Sequence, residues 1–460
     1  MLYQALRAAA DVALHWYYAD VVVQGRERIP ERGPLIITAN HPNALVDALV
    51  VGTTMRRRVL LTAKATLFEN PALAAVLRAV GVVPLRRAKD ERDAMGVVSA
   101  SRNSDAFRLV TQALERQGAV LVFPEGISHD EPSLAPLKTG AARMALTAAD
   151  GGVRGLRILP VGMIFEQKER PRSRVLVRIG APIDVDEWLA GTGAPDAARL
   201  TADIDAAMRR VTLNFASEAR ARRAVGLARA LASIAGETPS IGQPRPLAME
   251  AELARRVDVA TDALTSAPAE AVRQADALIA RVESIEARLA ERHVALADVR
   301  ISPRMRHGAR FVVREGALAA VAVPIAVLGR ITHWIPLHLA RLLALRTTVA
   351  DPSRDQPAMR TIVLGLVFVL LWYLLQAVLL ARWFGGVAAM LWLVLIFFAA
   401  RVDFVLRDRL YRGWRRARTY LALRADPVFR ERSLEEIRLV VADALALEQM
   451  LVPPVVAAGR

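Results

Sequence analysis

The chain has 460 residues, of which 54% are hydrophobic and none is cysteine, and its formal net charge is +16. This length allows two or three domains, and the lack of cysteine excludes disulfides and thiolate metal sites. So strong a positive charge favours an anionic partner. Because the sequence has neither zinc-finger spacing nor an aromatic-rich RNA-binding signature, we expect an anionic membrane surface or a phosphate-bearing substrate, and no nucleic acid.

Residues 1–18 predict an amphipathic N-terminal helix, with apolar residues recurring at helical spacing from Leu2 to Trp16. Such a helix either lies at a membrane interface or packs on its own domain, and the pattern fits both. The first residues lack the basic region, apolar core and cleavage site of a secretory signal, so none is expected.

Residues 19–215 alternate short apolar strands with helices. The predicted strands lie around residues 21–23, 35–37, 59–61, 82–83, 119–123, 158–161 and 175–179, with helices over 106–117 and 139–149 among the connections. This alternation predicts an α/β fold with a largely parallel sheet flanked by helices.

The remainder of the chain predicts helices only. Residues 216–305 form a helical region to which we assign no chemistry. A membrane region over 306–420 contains two uncharged runs, about 361–381 and 383–400, each long enough to cross a bilayer. Residues 421–460 form a helical tail.

The two runs are separated by the short stretch 382–386, so they predict a transmembrane hairpin. Arginines cluster before and after the hairpin, whereas Arg382 alone marks its turn. This pattern predicts that both ends of the hairpin, the tail and the α/β domain are cytoplasmic, at the inner membrane if the source is bacterial. A shorter apolar run, 316–328, contains Pro324 and is expected to be re-entrant or interfacial.

The most informative stretch is Asn40-His41-Pro42, followed by Asp47. Pro42 disfavours a helical conformation at His41 and suits a helix start, so His41 should lie in a strand-to-helix turn. The chain can then fold back so that Asp47 accepts a hydrogen bond from one ring nitrogen, leaving the other nitrogen free as a general base. The same residues also fit a structural role, in which an asparagine caps the helix and His41 is a hydrogen-bonded histidine near the core.

Three further stretches end predicted strands. The basic cluster of 81–89 either binds a phosphate or is a solvated charge run. The stretch 122–126 predicts a turn that exposes Glu125, which either holds a substrate group or is merely solvated. The stretch 159–162 is apolar and is expected to form a wall.

Taken in order, these stretches resemble the glycerolipid acyltransferases, the superfamily of glycerol-3-phosphate and 1-acylglycerol-3-phosphate acyltransferases. The resemblance covers roughly residues 19–190 and rests on four elements: Asn40-His41 with Asp47, Val83-Pro84-Leu85-Arg86-Arg87, Phe123-Pro124-Glu125-Gly126, and Leu159-Pro160-Val161. It implies that His41, oriented by Asp47, is the general base on the acceptor hydroxyl.

The resemblance also implies the substrates. The attacking oxygen would open the thioester of acyl-CoA or an acyl-carrier protein, with no cofactor and no metal beyond this co-substrate. Arg87, with Arg86, would bind the acceptor's phosphate, Glu125 and Gly126 would complete the acceptor site, and Pro160 would help to shape the pocket.

The chain departs from the family's motifs in two ways, and both affect the identity of the acceptor more than the type of reaction. Most of the family has four residues between the histidine and the aspartate, whereas this chain has five. The longer spacing resembles a branch that acylates glycerol-3-phosphate or dihydroxyacetone phosphate and that also has a hydrophobic C-terminal hairpin. The arginine stretch lacks the acidic residue that often precedes the arginine.

The expected function is a membrane-embedded O-acyltransferase that makes a phospholipid precursor or remodels a lysophospholipid. One alternative is an acyl thioesterase that uses water activated by His41. Another is a non-catalytic lipid-binding membrane protein.

Overall fold

The computed structural model describes residues 2–64, 74, 82–85, 104–235, 246–300, 305–348 and 356–451. The chain forms two compact units: one comprises Met1–Asn214 with Ala340–Val367, the other Phe215–Leu339 with Phe368–Arg460. The first stretch of unit one ends beside the predicted boundary at residue 215.

Unit one contains the alternating strands and helices. Its strands are β1 Asp20–Gln24, β2 Leu35–Ala39, β3 Val59–Leu60, β4 Thr62–Lys64, β5 Val83–Leu85, β6 Ala119–Val122, β7 Arg157–Phe165, β8 Arg174–Ile179 and β9 Ile183–Asp184. Its helices up to residue 214 are α1 Leu2–Tyr17, α2 Leu45–Thr54, α3 Ser104–Glu115, α4 Gly140–Asp150, α5 Val185–Thr192 and α6 Ala197–Val211.

The main sheet has the strand order β1-β8-β7-β2-β6-β3, and β9 pairs with β7. The pairs β1–β8, β2–β7, β2–β6 and β3–β6 are parallel, whereas β8 and β9 run antiparallel to β7. A separate parallel pair is formed by β4 and β5. The predicted α/β fold with a largely parallel sheet and flanking helices is confirmed.

The central strand β2 is buried on both faces, which explains why it is an uninterrupted apolar run. Leu35 and Ile37 belong to a core cluster that includes residues of α1 and α2, whereas Ile36 belongs to a second cluster with α3, α4 and α6. Leu14 of α1 is fully buried in the first cluster. Of the two interpretations of the N-terminal helix, packing on its own domain is the one observed.

Unit two begins with a helical bundle. Its helices are α7 Glu218–Ala235, α8 Leu247–Leu264 and α9 Ala269–Glu291, and the C-terminal helix α13 Pro427–Leu451 packs against them. Their apolar side chains share one core cluster, which includes Leu278 and Ile285 of α9 and Ile437 and Val440 of α13.

Three long helices precede α13: α10 Met305–Thr348, α11 Gln356–Phe384 and α12 Gly386–Ala425. Their stretches Val312–Arg346, Arg360–Phe384 and Gly386–Ala425 are each long and apolar enough to cross a membrane.

The run 316–328 lies inside the continuous helix α10, and its re-entrant or interfacial placement stays a prediction. The helix continues through Pro324 and Pro336. Transmembrane helices tolerate the loss of the backbone hydrogen bond that each proline removes, because neighbouring groups satisfy the freed carbonyl.

The predicted hairpin turn lies where the sequence placed it. The helix α11 ends at Phe384, Gly385 has a φ of 84°, and α12 begins at Gly386. Trp392 donates from Nε1 to Gln376 Oε1 at 2.9 Å, which links the two helices near the turn. The second predicted span and the basic segment after it form one helix, α12.

The strand β7 packs closely against the end of α6 at Gly162, and this packing can be tested. A Cβ at Gly162 would overlap the carbonyl oxygen of Val211, which is backbone and cannot move aside. We expect Gly162→Ala to lower the stability of the unit by about 1–3 kcal/mol. Thermal unfolding of the detergent-solubilised protein measures this change.

Gly140 at the start of α4 provides the matched control, because a Cβ there has no neighbour within 4 Å. Gly140→Ala should leave the free energy of unfolding unchanged or raise it by less than about 1 kcal/mol. Equal behaviour of the two variants would contradict the packing.

Candidate active site

The site forms where two neighbouring strands end. The strands β2 and β6 are parallel, and Thr38 lies opposite Val122 in their register. Because the carboxyl ends of parallel strands lie at one edge of a sheet, the residues that follow them, His41 and Glu125, are brought together although they are far apart in sequence.

A turn of five residues, Asn40 to Ala44, connects β2 to α2. The Asn40 side chain holds its start on the next strand, donating to Met163 O at 3.0 Å and accepting from Met163 N at 2.7 Å. The helix α2 begins at Leu45, so Asp47 lies in its first turn. The prediction that His41 lies in the turn and outside the helix is confirmed.

His41 and Asp47 are in direct contact. His41 Nδ1 lies 2.9 Å from Asp47 Oδ2, and Asn43 N donates to the same oxygen at 2.7 Å. An ionised carboxylate only accepts hydrogen bonds, so the proton of a neutral His41 resides on Nδ1 and Nε2 retains its lone pair. The expected contact between histidine and aspartate is therefore present.

Asp47 is completely buried, whereas the His41 side chain keeps 14% of its surface exposed. Burial raises the pKa of Asp47, because the ionised form loses its hydration; the hydrogen bond from His41, its charge, the Asn43 N–H and the Lys168 charge act in the opposite direction. The carboxylate thus depends on its few partners to remain ionised.

Phe123 fixes the orientation of the histidine ring. The two rings are stacked, with centroids 3.9 Å apart and planes inclined by 12°. Phe123 directly follows β6. The ring that stacks on His41 therefore comes from the same sheet edge as the turn after β2 that contains His41.

Glu125 is buried, so the prediction that its turn exposes it is wrong. Only 2% of its surface is accessible. Its Oε1 accepts from His41 N at 2.9 Å, and its Oε2 accepts from Ala135 N at 2.8 Å and from His129 Nε2. The turn was predicted, but this carboxylate points inward because backbone N–H groups and an imidazole supply its hydrogen bonds there.

Gly126 has a φ of 73°, in the region that favours glycine. A Cβ there would lie 2.7 Å from Lys138 Nζ. The residue therefore allows the tight turn after Glu125, and its role in the acceptor site stays a prediction.

Pro160 lies within β7, buried and opposite Thr38 in the register. Its Cγ would lie 2.7 Å from a Cβ on Gly180, so its ring faces the start of the segment after β8. Its role in shaping the pocket stays a prediction. Arg86 and Arg87 fall outside the described residues, although β5, which leads into them, is described.

Three residues to which the sequence gave no role contact the turn. Ser128 Oγ accepts from Ala44 N at 3.2 Å, His129 N donates to His41 O at 3.4 Å, and Lys168 Nζ donates to Pro42 O. Ser128 and His129 follow the predicted Glu125 turn closely. Lys168 comes from the loop between β7 and β8 and has no signal in the sequence.

Comparison with known proteins matches this region to one family. Residues 20–164 match the sequence model of the family described as Acyltransferase. An uncharacterized acyltransferase of Schizosaccharomyces pombe is 25% identical over 257 residues, 38% of each chain. Glycerol-3-phosphate O-acyltransferase 2 of Saccharomyces cerevisiae is 42% identical over 86 residues, 18% of this chain and 11% of the relative.

A bacterial relative also matches. The 1-acyl-sn-glycerol-3-phosphate acyltransferase of Borreliella burgdorferi is 28% identical over 157 residues, 34% of this chain and 56% of the relative. In each of these relatives, the chain spans less than two thirds of the other protein's length.

A solved structure also aligns with this chain. The crystal structure of the 1-acyl-sn-glycerophosphate acyltransferase PlsC from Thermotoga maritima aligns with a TM-score of 0.35 and 21% identity, covering 45% of this chain and 78% of that one. The match to the Acyltransferase family model covers residues 20–164, the segment that contains the His41–Asp47 pair.

Proposed function

We propose that the protein is a membrane-bound O-acyltransferase of phospholipid biosynthesis. It transfers a fatty acyl group from acyl-CoA or acyl-carrier protein to a hydroxyl of a glycerophosphate or lysophospholipid. The observation that carries the proposal is the contact between His41 Nδ1 and the buried Asp47 carboxylate at 2.9 Å. The relatives named as glycerol-3-phosphate and 1-acyl-sn-glycerol-3-phosphate acyltransferases support the choice of acceptor class.

The chemistry follows from the tautomer of His41. Its Nε2 takes the proton from the acceptor hydroxyl while the oxygen attacks the thioester carbonyl. Asp47 stabilises the imidazolium that forms. The tetrahedral adduct then collapses, the carbon–sulfur bond breaks, and the leaving thiolate takes the proton from Nε2. Thioesters are already activated, so a base and correct positioning are sufficient.

Arg86 and Arg87 would bind the acceptor's phosphate, since guanidinium groups bind phosphate oxygens in pairs. They follow β5 directly in sequence. Gly126 and Pro160 would border the acceptor.

The membrane part of the proposal rests on the hairpin of α11 and α12. Both are apolar enough to span, and the arginines cluster outside the turn, which favours a cytoplasmic location for the two ends. The acyltransferase domain would then meet a soluble acyl donor and an amphipathic acceptor at the cytoplasmic surface. An odd number of spans would separate the domain from the tail, so this sidedness requires that α10 does not cross completely.

Acyl transfer should depend on His41. Membranes containing the protein are expected to transfer labelled acyl chains from acyl-CoA to at least one of glycerol-3-phosphate, dihydroxyacetone phosphate, lysophosphatidate or a lysophospholipid. His41→Ala should lower the rate by about 10²–10⁴-fold, the usual contribution of a general base. His15→Ala, at a half-exposed histidine of α1, should retain the rate.

Unchanged transfer by the His41→Ala variant would contradict this mechanism. Release of free fatty acid without any acceptor would indicate a thioesterase. Lipid binding without turnover would indicate a non-catalytic protein.

Asp47→Asn should separate activity from stability. An amide does not stabilise the imidazolium and can turn its NH₂ toward Nδ1, so we expect kcat to fall by at least about 10²-fold. Because burial raises the pKa of Asp47, the ionised carboxylate costs stability at neutral pH, and a neutral side chain of the same size avoids that cost. The unfolding temperature should therefore not fall.

A large loss of stability in Asp47→Asn with proportionate loss of active protein would contradict the catalytic role. Thermal unfolding and the kcat per folded molecule measure the two effects separately.

Single cysteines test the sidedness, since the natural chain has none. Ala190→Cys in α5, Ala442→Cys in α13 and Phe384→Cys at the hairpin turn all lie at exposed positions. A membrane-impermeant maleimide should label Ala190→Cys and Ala442→Cys from the cytoplasmic side and Phe384→Cys from the other. Labelling of Ala190→Cys and Ala442→Cys from opposite sides would show that α10 also crosses.

A further inference from the structure

The turn that presents His41 has a strained backbone. Ala44 has a φ of 47° and a ψ of −127°, values that residues with a Cβ rarely adopt. Such conformations persist only where the surroundings impose them, and they concentrate at functional sites. Something must therefore hold residues 41–44 in place.

Three consecutive residues, Ser128, His129 and Asp130, hold the backbone of residues 41–44. Ser128 Oγ accepts from the N–H of the strained Ala44 at 3.2 Å. His129 N donates to His41 O at 3.4 Å. Asp130 pairs with Lys168, whose ammonium also donates to Pro42 O.

The ring of His129 makes a second connection to His41. Glu131 N donates to His129 Nδ1 at 3.2 Å, so Nδ1 is the acceptor and the ring proton is on Nε2. This Nε2 donates to Glu125 Oε2, and the other oxygen of Glu125 receives the N–H of His41 at 2.9 Å. His129 thus contacts both the carbonyl and, through Glu125, the amide of His41.

His129 does not serve as a second base. Its Nδ1 lone pair is used by Glu131 N–H and its Nε2 proton by Glu125. The side chain is 14% exposed, and its partner Glu125 is almost fully buried. Both ring nitrogens are thus committed to holding the polypeptide.

We propose that His129 is a positioning residue for the acyl transfer proposed above: it fixes the backbone of His41, so that Nε2 stays aligned with the acceptor hydroxyl. The inference rests on the proposed function for its kinetic consequence only. A misplacement of about 1 Å in a catalytic group can cost about 10²-fold in rate. Glu125 acts in the same way, as the carboxylate between the two histidines.

Kinetics of three variants test the proposal. We expect His129→Ala to lower kcat by about 10–100-fold while KM for the acyl donor and for the acceptor stays within about two-fold. His129→Gln, whose amide can replace the Nε2 donor, should recover most of the rate. His15→Ala should match the wild type.

A second readout does not depend on turnover. The amides of His41, Asn43 and Ala44 donate to Glu125, Asp47 and Ser128 respectively. Hydrogen–deuterium exchange of the peptide that contains them should accelerate in His129→Ala and return toward the wild-type rate in His129→Gln. Should His129→Ala fail to fold, His129→Asn provides a second variant. The asparagine side chain is too short for its amide to reach Glu125, so hydrogen–deuterium exchange of the same peptide should accelerate as in His129→Ala.

The outcomes separate the two proposals. Unchanged kcat, a raised KM with kcat retained, or unchanged exchange in His129→Ala would overturn the positioning role. Absence of acyl transfer by the wild type would overturn the proposed function. In that case, accelerated exchange in His129→Ala would still support the positioning of the turn, and unchanged exchange would overturn it.

Discussion

The hydrogen bond between His41 and the buried Asp47 is the interaction on which the account depends. A carboxylate without access to water is costly unless it is paired, and the structure gives it His41, the amide of Asn43 and the nearby charge of Lys168. The same bond determines which nitrogen of His41 carries the proton. Stability and chemistry are therefore coupled at a single contact.

The parallel sheet makes this contact possible. Since β2 and β6 end at one edge, residues from two distant parts of the chain surround His41: Asp47 on one side, Phe123 against the ring and Glu125 on its amide. The backbone N–H groups of His41, Asn43 and Ala44 are thus satisfied by protein side chains, and the Nε2 side of the ring remains for a substrate. A rigid sheet edge suits a reaction that needs positioning more than activation.

Local rules account for the parts of the site that the sequence predicted. Pro42 placed His41 in the turn, and that placement in turn brought Asp47 within reach. Strands buried on both faces are continuous apolar runs, so β2, β6 and β7 were recognisable, as was the hairpin turn at Gly385.

The features that the sequence did not predict depend on distant partners. The Glu125 turn was evident, but its inward direction is set by His41 N and Ala135 N, which a local pattern does not reveal. Lys168 reaches Pro42 O only because β7 lies beside β2. The length of the helix α10 was also not predicted, because the apolar run 316–328 is short and only its charged and polar flanks extend it to Met305–Thr348.

The most direct test of the central claim is the protonation state of the His41 ring, read from the ¹⁵N shifts of labelled protein at neutral pH and assigned through the His41→Ala variant. We expect a protonated Nδ1 and an unprotonated Nε2 in the wild type, with this preference lost in Asp47→Asn. A proton on Nε2, or the same tautomer in both proteins, would contradict it.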